Sequence, residues 1–166
     1  VDDFSKFISK ENLQKVKKIS VSIGPANFNA SRLIVVLGRT ISQQINCPLY
    51  SFSSFEIMAK RIASKNNIFS NKKSFWIYKK LKRKGYIAGK YEIFHNNQKN
   101  AALVIRETVL PKVIKEFDSK ELYFEANYND KEDLIDLLDL SNNNFLNANA
   151  NSWQKVLPLY PISPIN

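Results

Sequence analysis

A single cysteine, Cys47, and a single histidine, His95, are all that 166 residues contain of the two side chains that most often build transition-metal and nucleophilic sites. One cysteine excludes an intrachain disulfide and points to a reducing compartment, with the cytoplasm as the expected location. A Ser–His or Cys–His pair would have to use His95, which falls in the polar stretch "FHNNQKN" at the end of a strand, so neither catalytic nor metal-ligating residues are expected, and no cofactor. Glycine is scarce as well, four in the chain. No apolar run approaches the roughly 20 residues that span a bilayer.

What the chain has in excess is lysine. Twenty of its 25 basic residues are Lys, and the net charge is +10. Such a charge favours polyanions in principle. A Lys-rich, Arg-poor excess is weaker support for it, because bidentate phosphate and base recognition favours Arg. Hydrophobic residues at 44% and charged residues at 24% are ordinary globular usage, so a folded α/β domain or two small lobes is expected.

Along the chain, "VDDFSKFI" places Val1, Phe4, Phe7 and Ile8 at helical spacing with no cap before them, so sequence upstream of Val1 is expected. Ser9 can cap a short turn of helix. Ile19, Val21 and Ile23 alternate as a strand until Gly24-Pro25 breaks it. From Asn29, the expected N-cap, to about Asn46 the spacing predicts a helix. Its apolar arc, which includes Leu33, Ile34, Val36, Leu37, Gly38, Ile41 and Ile45, covers about 200°, wider than a surface helix needs. Such an arc must be covered either by the protein's own fold or by a partner.

"CPLYSFSS" reads as a strand and cap, and Phe55, Met58, Ala59, Ile62 and Ala63 mark an amphipathic helix. The polar stretch at 64–74 is a plausible lobe boundary. "FWIYKKL" and "GYIAGKYEIF" predict a hairpin, with "AALVIRE" and "ELYFEA" as further strands. Asp130 and Asp133 open a helix with Leu134, Leu137 and Leu138 on one face. The residues at 141–152 read as loop or frayed helix end, and the proline-rich tail as an extended segment pinned by Trp153, Leu157 and Tyr160.

Few of these features carry chemistry. His95 ends a strand in a polar turn. Asp133 and Asp136 share a helical face at a spacing that can hold a divalent ion, but helix capping explains them. The basic run Lys79, Lys80, Lys82, Arg83 and Lys84 lies at the hairpin tip near Trp76, Tyr78, Tyr86 and Tyr91, a mixture that can neutralise phosphate and stack bases. It is a candidate RNA contact. "GPANFNASR" stands where a strand turns into a helix, a natural anion cradle, yet it has one glycine and no P-loop Lys.

The stretch "ISVSIGPANFNASRLIVVLGRTISQQINCPLYSFSSFEIMA" resembles the segment of TsaB (YeaZ) proteins that reads approximately GPGSFTGLR, then an apolar helix ending in x-x-P-L, then S-S-hydrophobic-E-x-(L/M)-A. Gly24, Pro25, Phe28 and Arg32 match, as do Pro48, Leu49, Ser53, Ser54, Glu56 and Ala59. The end, "PLYPISP", is similar to the family's P-x-Y-x-R-x-P through Pro158, Tyr160 and Pro164. The hairpin resembles that of cyanobacterial members.

The resemblance implies an α/β fold of the ASKHA, ribonuclease H-like, two-lobe type. An incomplete first lobe, lacking its initial strands, would occupy 1–66, and a second lobe with an extended tail 67–166. It implies a non-catalytic subunit that pairs with the paralogue TsaD, alongside the ATPase TsaE, to form N6-threonylcarbamoyladenosine at position 37 of tRNA. It also implies pairing through the first-lobe helix, as a heterodimer or homodimer, with Ile34, Gly38, Ile41 and Ile45 as the interface. The alternative it carries is a glycoprotease-like (M22 peptidase) metal- or ATP-dependent enzyme. The chain departs from the family where Ala26, Asn27, Asn29 and Ala30 replace its Gly, Ser, Thr and Gly, and where Ile162 replaces its Arg. Gly24-Pro25 then only ends the strand, Phe28 plugs the core, and Asn29 caps the helix.

Overall fold

The computed structural model describes residues 8–65, 74–82, 85–95, 103–146 and 152–162. Ser9 accepts a hydrogen bond from the Asn12 N–H and so caps the short helix α1 (Lys10–Gln14) as expected. Strand β1 (Ile19–Ser22), helix α2 (Phe28–Ile45) and strand β2 (Leu49–Phe52) form a β-α-β unit, the two strands pairing in parallel from Ile19 with Leu49 to Ser22 with Phe52. Ser53 then caps α3 (Ser54–Lys65), its Oγ accepting the Glu56 N–H at 2.9 Å.

A second sheet follows, with strand order β5-β4-β3-β6, built from β3 (Ser74–Lys80), β4 (Tyr86–His95), β5 (Leu103–Ile114) and β6 (Tyr123–Glu125). The hairpin is antiparallel as expected, whereas β6 joins β3 in parallel. β5 runs on to Ile114, past the "AALVIRE" segment and through Pro111. It lies on the sheet's edge, where a residue without an N–H is tolerated.

Helix α3 sits between the two sheets. Its Phe55, Met58, Ala59 and Ala63 pack on Phe75, Ile77, Tyr91, Ile93 and Ile105 of the second sheet. Its Ile57 packs with Tyr50 and Phe52 of the first sheet and with Leu140 of helix α4 (Asp130–Leu146). Buried Lys60 and Arg61 extend this bond. Lys60 Nζ reaches Asp139 at 3.1 Å and the Leu103 carbonyl at 3.0 Å, and Arg61 holds Asp133 at 2.8 Å and the Asn127 carbonyl. Helix α4 and Val156 both pack on the first sheet, so the packing crosses position 66.

Several expectations are corrected by this packing. The N-cap of α2 is Asn27, not Asn29, because Asn27 Oδ1 accepts the Asn29 N–H at 3.0 Å and Phe28 is already helical. On α4, Leu137 and Leu140 turn inward while Leu134 and Leu138 are exposed, since the contacting face is set by where β1 and β2 lie. Of the two alternatives for 141–152, residues 141–146 continue helix α4 to Leu146, and buried Ser141 binds Ser20 Oγ at 2.6 Å. In the tail, Trp153 and Tyr160 do pack on the rest of the chain, but Leu157 is exposed and buried Val156 takes its place as an anchor.

Phe28 does not plug the core. It is partly exposed and lies against Tyr160, ring centroids 4.7 Å apart, while the Leu159 N–H donates to the Ile23 carbonyl at 2.8 Å. Its role is to hold the tail on β1. Phe28→Ala is expected to cost about 1 kcal/mol and to speed proteolytic nicking near Leu157 several-fold. Unchanged nicking kinetics would remove that role.

Candidate functional site

At the end of β1 the chain turns through Gly24, whose φ of +103° suits glycine. A Cβ there would also meet Ser31 Oγ at 3.0 Å and the Leu159 carbonyl at 3.2 Å. The turn's carbonyls are already engaged: Gly24 O accepts the Ser54 N–H at 2.7 Å, and Pro25 O accepts both Ser54 Oγ and Tyr128 OH at 2.9 Å. With Asn27 capping α2, the loop is knitted to α3 and to the segment before α4. Arg32 is exposed at the start of the second turn of α2. Nothing in this turn is nucleophilic; its geometry serves to aim α2.

Two faces of α2 follow. Ser31, Val35, Gly38 and Ser42 are buried against the sheet, a spacing of three to four residues that makes one stripe. Gly38 was expected at the centre of a partner interface, and this is corrected: it faces inward onto Val21 and Leu49. The physical reason is size, because small residues let the helix approach the strands closely. The large apolar side chains turn outward instead, with Leu33 69%, Ile34 43%, Val36 51% and Leu37 40% exposed. Ile41 and Ile45 are half-buried.

Between α2 and α4, along β1, two adjoining cavities of about 350 and 320 Å³ share Ser22, Ala26 and Leu137. Their walls are mainly apolar. Asp133 of the second is already held by Arg61, and Ser31 Oγ in the first is buried with no hydrogen-bond partner among the described residues.

A buried polar cluster escaped the sequence-based expectations. Ser53 Oγ donates to Glu107 Oε1 at 2.6 Å and Tyr91 OH donates to the same oxygen at 2.8 Å. Burial pushes Glu56 up to about 8, with the Glu107 charge adding to it. Burial also raises Glu107, against the two hydroxyl hydrogen bonds. The available signal was the inward register of Glu107, opposite Tyr91 and two residues after buried Ile105.

The candidate RNA-contact run is divided. Lys79 lies over the Tyr128 ring at 5.1 Å, Lys80 and Lys82 are exposed, and Arg83 and Lys84 lie outside the described residues. Tyr91, expected beside them, is fully buried in the core. Among the described residues no group of three or more His, Cys, Asp or Glu side chains could hold a metal ion, and no helix is long and apolar enough to cross a membrane.

No protein-family model and no curated protein matches the sequence. Solved structures match the fold, two of them as follows. YeaZ from Pseudomonas aeruginosa superposes with a TM-score of 0.60 at 16% identity, over 89% of this chain and 76% of that one. An uncharacterized protein with similarity to peptidase YeaZ, from Pseudomonas aeruginosa, gives 0.62 at 15% identity, over 97% and 80%. The chain has a YeaZ-like fold. Its mixed parallel and antiparallel sheets fit that architecture, and the structural neighbours are those to which the turn and tail motifs pointed.

Proposed function

We propose that this chain is a non-catalytic pairing subunit with a two-lobe, ribonuclease H-like architecture of the ASKHA type. In this reading it binds the paralogue TsaD and works with TsaE in forming N6-threonylcarbamoyladenosine at position 37 of tRNA. The observation that carries it is the outward face of α2, where Leu33, Ile34, Val36 and Leu37 stand exposed together. Neighbouring large apolar side chains left open to water are the mark of an interaction surface. The YeaZ-like fold and the closed Gly24–Arg32 turn, which offers positioning rather than chemistry, support the same reading.

Co-purification with TsaD from the same organism tests it, followed by tRNA modification with and without this chain. Complex formation and dependence of modification on the chain are expected. The double variant Ile34→Glu, Leu37→Glu should weaken pairing roughly 30-fold or more while lowering the urea midpoint only slightly, because both side chains already meet water. A TsaD that ignores the chain would overturn the reading. Stoichiometric zinc or ATP binding by this chain alone would favour the glycoprotease-like enzyme instead.

A further inference from the structure

The second sheet has α3 on one side, packed against Phe75 and Ile77. The other side carries Trp76 and Tyr78 of β3, Tyr86 of β4 and Tyr123 of β6, all partly exposed. Phe117, from the loop after β5, lies over three of these rings, with centroids 4.3 Å from Tyr86, 4.4 Å from Tyr123 and 4.8 Å from Tyr78. Trp76 stacks on Tyr123 at 6.0 Å and 17°, and Lys90 Nζ sits 5.7 Å from the Trp76 ring. Phe117 itself is 38% exposed.

Lys80, Lys82, Lys112 and Lys115 are exposed on the strands and turns that carry these rings. The carboxylates nearby are Glu92, on the same face two residues from Lys90, with Glu116, Asp118, Glu125 and Glu121, the last paired with Lys90 at 2.6 Å. From this geometry we infer that the aromatic face of the second sheet binds single-stranded nucleic acid, stacking unpaired bases beside Phe117 and setting the phosphates against Lys80 and Lys112. The chain's +10 charge supplies long-range attraction for a polyanion. Every base presents a π-face, so rings and lysines together bind single strands with little sequence preference, whereas a duplex hides those faces. The inference is independent of pairing through α2, which lies on the first sheet.

Fluorescence anisotropy with labelled RNA and DNA single strands of about a dozen nucleotides, and with an RNA duplex of the same length, tests it. Binding of either single strand over the duplex is expected. Phe117→Ala should weaken it roughly tenfold, and Phe117→Tyr should restore it. Lys80→Gln with Lys112→Gln should flatten the dependence of log K on log salt by roughly 0.7 per lysine. Absence of single-strand binding, equal binding of the duplex, or Phe117→Ala at full affinity with an unchanged fold by circular dichroism would overturn it.

Discussion

Replacing Gly38 by leucine is expected to destabilise the protein by about 3 kcal/mol or more, enough to leave much of it unfolded at moderate temperature. A Cβ at this position would lie 2.7 Å from Val21 Cγ1 and 3.4 Å from Leu49 Cδ1. Valine is stiff about χ1 and Val21 is buried, so the clash cannot be relieved by a rotamer change alone. Even Gly38→Ala sets two effects against each other. The helix gains up to about 1 kcal/mol in propensity, while overpacking costs about 1–3 kcal/mol. The alanine variant should therefore lose modestly and the leucine variant heavily. Urea denaturation measures both, and a leucine variant as stable as the parent would mean that α2 does not lie this close to β1.

Stability is also expected to fall as pH rises from about 5 to 8, with Glu56 responsible. Its carboxyl titrates near 4.5 when exposed to water and is pushed up to about 8 in the fold, chiefly by burial. The folded state thus holds the proton more tightly than the unfolded state. The stabilisation is complete below the unfolded value and is lost as pH climbs through the folded one, at up to about 1.4 kcal/mol per pH unit in that window. Glu107, also raised by burial, acts in the same direction. Glu56→Gln, a neutral side chain of the same shape, should flatten the dependence and make the protein more stable than the parent at pH 8. Urea midpoints at pH 5 and 8 decide it; an unchanged slope in the variant would place the titrating group elsewhere.

Much of the fold was legible because its signals are local. The alternation of Ile19, Val21 and Ile23, the Gly24-Pro25 break, the Ser9 and Ser53 caps and the β3–β4 hairpin each depend on residues a few positions apart. The buried side chains of α3 were read from periodicity for the same reason. The helix that carries the candidate site was legible in position, but not which of its faces turns inward. Residues 29–46 were singled out as a helix with an over-wide apolar arc, its start placed late, since Phe28 is already helical, yet hydrophobicity alone turned Gly38 outward. The strands required the small stripe Ser31, Val35, Gly38 and Ser42 instead.

By itself, then, the sequence determined the order of the elements, the turn motif that ties the chain to the YeaZ-like fold, and the scarcity of histidine and cysteine. Only the tertiary structure decided which face of α2 and of α4 meets water, and that β6 returns to pair with β3. The same holds for the meeting of Ser53, Glu56, Tyr91 and Glu107 and for the closing of Phe117 over the aromatic face. These join residues tens of positions apart, and such contacts are selected by packing and by the demand that buried polar groups find partners, neither of which is written in local periodicity.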